Sequence, residues 1–225
     1  MLTDVRAAVS KPMSTRATPP AVNHGLEGTI DFMGAPMSFT RNAEIYGEGE
    51  PADYLYKVAS GTVRTYKVLS DGRRQIGAFY MPGDVFGLET SDEHTFSAEA
   101  ISDSKVLVIK RSTLVALAGR DNEVARQLWA LTGLELSRVQ DHILLLIKTA
   151  QERVAGFLLE MADRACSGNS LELPMSRQDI ADYLGLTIET VSRTLTTLEN
   201  AATIELPSSR RIVLRNRSAL SRLNA

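Results

Sequence analysis

Between residues 188 and 193 the chain places a carboxylate, a hydroxyl and a guanidinium close together: Glu189, Ser192 and Arg193, preceded by Ile188. On a helix, spacings of three and four residues put Glu189, Ser192 and Arg193 side by side near its first turn. A guanidinium donates two parallel hydrogen bonds, which matches guanine O6 and N7, and a carboxylate accepts from the cytosine amino group. A hydroxyl pairs with several base edges, and a branched apolar side chain can rest on a thymine methyl. A solvated helix face would use the same residue types. The weight therefore falls on the elements that must hold these four.

Those elements are legible in the flanking residues. Ser176 stands three residues before Asp179, the spacing of a capping box that opens a helix. Ile180, Ala181 and Leu184 give that helix one buried face. Gly185 takes at little cost the positive φ that ends it. Thr187 suits the N-cap of a second helix and Glu189 suits its first turn, where the dipole favours negative charge. Val191, Leu195 and Leu198 form an apolar stripe on the far side. Two short helices joined by a tight turn make a helix-turn-helix, whose second helix enters the DNA major groove. Arg177, Thr187 and Thr190 are then candidate phosphate partners beside the groove. Residues 202–206 and 211–214 flank Pro207-Ser208-Ser209-Arg210 and predict a β-hairpin wing. Arg210 and Arg211 lie near its tip, placed to meet phosphates and add affinity without sequence information.

The run Glu189-Thr190-Val191-Ser192-Arg193 resembles the E-x-x-S-R recognition pattern of the Fnr and FixK branch of the Crp/Fnr family of bacterial transcription factors. The resemblance covers nearly everything after the N-terminal arm, because glycine placement further upstream is similar to that family's cyclic-nucleotide-binding domain. It implies a homodimer on a palindromic TTGA-N6-TCAA-like site, contact with RNA polymerase, and activation of microaerobic, respiratory or nitrogen-fixation genes.

The whole chain of 225 residues has a net charge of −2, but its distribution is uneven. From Pro174 onward seven arginines and no lysine face five acids, a local +2 that leaves −4 on the remainder. Phosphates respond to that local field. Cys166 is the one cysteine, which excludes an intrachain disulfide and a thiolate cluster and suits a reducing cytoplasm. Beside Arg164 it is a candidate redox thiol, with the inert reading the stronger. No apolar run approaches a membrane span and no signal-peptide core opens the chain, so a cytoplasmic protein is expected.

Taken in order, residues 1–27 are rich in Ala, Ser, Thr and Pro and read as a flexible N-terminal arm. Residues 28–119 carry short β-rich runs between glycine turns, with strands expected at 54–58, 62–68, 75–80, 96–100 and 106–109, which predicts a small antiparallel β-roll. Strand 62–68 alternates as a half-buried strand should, and Ser70-Asp71-Gly72 marks a hairpin. A short helix at 112–119 precedes a long one at 122–147, in a dimerisation segment set at 120–148. In the long helix Trp129, Thr132, Leu136, Val139, Ile143 and Leu146 recur at three and four residues, a heptad seam for a partner helix. Leu128, Leu131 and Leu145 fall outside the seam and can face the same subunit's roll. A helix at 149–164 opens the winged helix-turn-helix domain, set at 149–225. The fold class is α+β.

The family divides by what its roll senses. Its cyclic-AMP binders share a G-E-x-A-L run followed by R-S-A or R-T-A, in which the glutamate takes the ribose hydroxyl and the arginine the cyclic phosphate. This chain has Phe86-Gly87-Leu88-Glu89-Thr90 and then Thr95-Phe96-Ser97-Ala98. Phe96 stands in the arginine's place and Glu89 is displaced, and burying a phosphate without a cation is costly. Oxygen-sensing members hold an iron–sulfur cluster through several cysteines, which this chain lacks. His24, His94 and His142 are scattered singly, without metal-ligand spacing. No cofactor or metal is expected, and the effector-independent FixK-like branch remains; a haem- or small-molecule-gated sensor of the same family is the alternative. No nucleophile–base set, paired carboxylates or P-loop points to an enzyme.

Overall fold

The computed structural model describes residues 33–165 and 169–224. The expected arm at 1–27, His24 and Cys166 lie outside the described residues. The first half is a roll of two antiparallel four-stranded sheets. One sheet runs β1 (Ala35–Phe39), β8 (Ser104–Lys110), β3 (Tyr54–Ser60) and β6 (Val85–Phe86). The other runs β2 (Glu44–Tyr46), β7 (Ser97–Ala100), β4 (Val63–Val68) and β5 (Arg74–Tyr80). Between them sits an aromatic-rich core that includes Tyr46, Tyr56, Val58, Tyr80 and Phe86. The hairpin at Ser70-Asp71-Gly72 joins β4 to β5, with Gly72 at φ +83°. Gly61 turns the chain at φ +85°, where an added Cβ would come within 2.2 Å of Ser104 Oγ.

Two strands precede the first one expected. β1 is an edge strand with Pro36 in it and four exposed residues, so it shows no apolar alternation to read. β4 corrects the expectation for 62–68: Val63, Arg64 and Thr65 are all buried, where alternation requires one face in water. The face that should be wet lies under the C-terminal domain.

Helix α1 (Arg111–Ala118) leads to α2 (Asn122–Leu146), which Asp121 caps by accepting from Glu123 N at 2.8 Å. Val124, Leu128 and Leu131 of α2 pack on Leu55, Val85, Ile109 and Leu114, so this part of the long helix lies along its own roll as expected. Leu145, expected there too, is instead buried in the core shared with the C-terminal domain. Trp129, Thr132, Leu136, Val139 and Ile143 are exposed, while Leu146 is half-buried, and all of these but Trp129 also border the space between α2 and the roll.

Helix α3 (Ala150–Ala165) opens the C-terminal domain, followed by β9 (Ser170–Glu172), α4 (Arg177–Leu184), α5 (Ile188–Asn200), β10 (Ile204–Glu205), β11 (Arg211–Leu214) and α6 (Arg217–Leu223). The wing is a three-stranded sheet in the order β10-β11-β9, where the sequence suggested a two-stranded hairpin. β9 pairs with β11 across some forty residues, a contact no local pattern announces. Helix α6, which Asn216 caps, also went unanticipated. The largest core joins Val154, Phe157, Leu158 and Met161 of α3 to α4, α5 and the wing, and takes in Ile76, Phe79 and Ile101 from the roll. The two domains are continuous across that core.

Candidate nucleic-acid interface

The helix-turn-helix forms through the local signals already named. Ser176 Oγ accepts from Asp179 N at 3.1 Å, and Asp179 Oδ2 accepts from Ser176 N at 2.9 Å, closing the capping box. Ile180, Ala181 and Leu184 are buried. Gly185 sits at φ +61°, the left-handed cap, and Leu186 N donates to Ala181 O at 2.9 Å. Thr187 Oγ1 then accepts from Thr190 N at 3.2 Å and opens α5. Val191, Leu195 and Leu198 are buried, which fixes the rotation of α5 about its axis. At its far end Glu199 accepts from Leu206 N at 3.0 Å, tying the helix to the start of the wing.

With one side of α5 fixed, the other side is decided. Glu189 and Arg193 are exposed, Ile188 is 37% exposed, and Ser192 is half-buried between them. Hydrogen bonds from its own backbone amide and from the Thr187 hydroxyl hold the Glu189 carboxyl below its ordinary pKa, and the Arg193 charge adds to the effect. Glu189 is therefore an ionised acceptor at neutral pH. Thr187 is exposed, Thr190 half-buried with its hydroxyl 3.1 Å from that of Thr187, and Arg177 half-buried at the start of α4. Arg210 and Arg211 are exposed at the wing, where Arg211 N donates to Ser208 Oγ at 3.1 Å and Arg211 Nε to Ser170 Oγ at 3.3 Å. Arg215, which the sequence did not single out, pairs with Glu205 on the same hairpin.

The remaining face of α4 meets the roll. Arg64 of β4 and Arg74 of β5 reach Asp179 and Asp182, a contact spanning more than 100 residues of sequence. Arg164 donates to Asp84 at 2.6 Å and to Phe79 O at 2.7 Å in the roll.

Between the roll and α2 lies a cavity of about 530 Å³, bordered by Tyr46, Tyr80, Phe96, Glu89, Glu135 and His142 among others. None of its lining residues is lysine or arginine. Phe96 packs where Gly77 leaves room, its ring edge 3.0 Å from the position a Cβ would take. Tyr80 OH donates to Glu135 at 2.9 Å, and the buried His94 ring stacks on Tyr46 at 3.6 Å with Nδ1 3.3 Å from Glu89. Burial pushes the His142 pKa below its ordinary value, only partly offset by its bond to Tyr183 O, so that ring is neutral at pH 7. A cyclic phosphate placed here would meet carboxylates and phenols without a cation, and these residues do not fit it.

The Crp-like helix-turn-helix domain family matches residues 152–223, and the cyclic nucleotide-binding domain family matches residues 36–121. The chain is 56% identical over 202 residues to the nitrogen fixation regulation protein FixK of Azorhizobium caulinodans, covering 87% of this chain and 82% of that protein. The chain belongs to the FixK branch of the Crp/Fnr family. The FixK of Rhizobium meliloti is 44% identical over 86% of this chain and 93% of its own. The solved structure of FixK2 from Bradyrhizobium japonicum matches with a TM-score of 0.83 at 55% identity, over 85% of this chain and 98% of that one. The chain is thus a transcription regulator with a helix-turn-helix DNA-binding domain. Among the described residues no helix is long and apolar enough to cross a membrane.

Proposed function

We propose that two copies of this FixK-type regulator bind a palindromic TTGA-N6-TCAA-like site in the cytoplasm and activate transcription with RNA polymerase. Ile188, Glu189, Ser192 and Arg193 read base edges. Arg177, Thr187, Thr190, Arg210 and Arg211 hold the phosphates on either side of the groove. The genes served are those of microaerobic, respiratory or nitrogen-fixation control, in keeping with the names of the FixK relatives. The observation that carries the reading is the exposed Glu189–Arg193 face on a helix whose opposite side is locked into the core. The dimer is supported by the apolar side of α2, where Trp129, Leu136, Val139 and Ile143 stand in water along one heptad seam. Neither a cyclic nucleotide nor an iron–sulfur cluster is needed in this scheme.

Selection of sites from random-sequence DNA by the purified protein, with no effector added, tests it directly. In that assay Arg193→Ala is expected to lose its guanine preference and about 1–3 kcal/mol per half-site. Equal weakening on every sequence would refute the base-reading role. A second reading, a sensor gated by haem or another small molecule, draws on the cavity between roll and α2. An absorption spectrum of the purified protein and calorimetry with candidate ligands separate the two.

A further inference from the structure

Asp179 divides its two oxygens between two tasks. Oδ2 closes the capping box of α4, accepting from Ser176 N at 2.9 Å and from Ser176 Oγ at 2.8 Å. Oδ1 faces the other domain, where Arg64 Nη1 donates at 2.5 Å and Arg74 Nη2 at 2.7 Å. Arg74 also grips Asp182, one turn further along α4, with Nε at 2.8 Å and Nη2 at 2.7 Å from Oδ2. Arg64 is itself anchored in the roll, donating to Glu99 at 3.0 Å, its register partner on β7. The side chains of Arg64 and Asp179 are 10% and 6% exposed, so this is not a solvent-screened surface pair.

Buried ion pairs add little net stability against an apolar alternative, yet breaking one strands a charge. Their planar, forked geometry also restricts the partner to one orientation far more tightly than apolar packing does. Two guanidinium groups gripping two carboxylates one turn apart fix both the tilt and the rotation of α4, and α4 carries α5 through Gly185. In a dimer, two recognition helices must lie about one DNA turn apart, about 34 Å. We propose that Arg64 and Arg74 are positioning residues for DNA reading, acting through Asp179 and Asp182 to hold the helix-turn-helix at the orientation that matches half-site spacing. In a ligand-gated protein an effector would impose that orientation; here the roll imposes it with its own side chains. The inference rests on the dimeric DNA reading proposed above.

The test is spacing preference. Full-length protein is titrated against palindromes whose half-sites are separated by five, six or seven base pairs, roughly the range one flexible hinge could bridge. Wild type is expected to favour one spacing by about tenfold or more, and Arg74→Glu to bind all three within about threefold while still recognising the half-site sequence. The charge swap Arg74→Glu with Asp182→Arg is expected to restore the preference, which a merely destabilised domain would not regain. Asp182→Asn, isosteric and uncharged, serves if Arg74→Glu fails to fold, with a smaller loss in the same direction. Unchanged spacing preference in folded Arg74→Glu, or no recovery in the charge swap, would overturn the assignment. A wild type that binds all sequences alike would instead sink the DNA reading. In that event hydrogen exchange of the α4 amides decides the positioning role alone. Exchange is expected to quicken about tenfold or more in Arg74→Glu and recover in the charge swap, and exchange equal to wild type would refute it.

Discussion

Replacing Ile143 by alanine should weaken the dimer by a calculable amount. Ile143 is 57% exposed in the isolated chain, with Val139 at 48% one turn away and Leu136 at 58% two turns away on the same seam. Fully burying a side chain of this kind contributes about 1.5–3 kcal/mol. The fraction of Ile143 still in water therefore leaves about 1–1.5 kcal/mol to be gained at an interface. Two-fold symmetry doubles every substitution, so Ile143→Ala is worth about 2–3 kcal/mol of association free energy. That raises the dimer dissociation constant about 30- to 150-fold. Sedimentation equilibrium across a wide concentration range measures the constant without reference to DNA. Val115 supplies the control: it is 61% exposed, but on α1 and off the seam. Val115→Ala should leave the constant within about threefold of wild type, the scatter expected of a surface change. An Ile143→Ala protein that associates like wild type, or a Val115→Ala protein that weakens equally, would refute the seam.

The other expectations concern the winged domain and pH. Arg210→Ala and Arg211→Ala should each weaken binding by a similar factor on specific and random DNA and reduce the salt slope by about 1, read from titrations at several ionic strengths. Gly185→Ala should cost about 1 kcal/mol in urea unfolding, because the nearest atoms to the new Cβ are at an ordinary 3.5 Å and the penalty comes from φ +61° alone; Gly185→Asn, which tolerates that conformation, should cost less. His142 titrates below its ordinary 6.5 in the folded chain, so the unfolded chain takes up its proton first as pH falls. Its contribution to stability is complete above pH 6.5 and is lost as pH drops through the folded value. His142→Gln should flatten the fall of thermal stability as pH drops below 6.5, and an unchanged slope would show that another group titrates there.

The residues that organise the helix-turn-helix were legible because each acts within four positions of its partner. Ser176 with Asp179, Gly185 with Ala181, and Thr187 with Thr190 are contacts between near neighbours, so residue type and spacing fix them. The stripe of Val191, Leu195 and Leu198 needed only helical periodicity. What stayed hidden depends on pairings across the chain. β1 is exposed along most of its length and closes only on β8, nearly seventy residues later. β9 becomes a strand only because β11 lies beside it. Arg64 is the sharpest case: a charged residue in an alternating strand reads as the wet face, and its burial is imposed by a carboxylate 115 residues away.

The same residue shows why a local reading can be right and still incomplete. A capping box asks one thing of its N3 side chain, an oxygen for the N-cap amide, and Asp179 Oδ2 supplies it. An ionised carboxylate has about four acceptor positions, so a box leaves half of it unspoken for. On a solvated helix water would take the remainder. Here α4 is pressed on β5, water is excluded, and a buried carboxylate oxygen without a donor would be costly. Once the two domains share a core, the cap thus demands a cation from the roll, and Arg64 and Arg74 answer it at 2.5 Å and 2.7 Å. The residue that starts the first helix of the DNA-reading unit also sets how that unit faces the rest of the molecule.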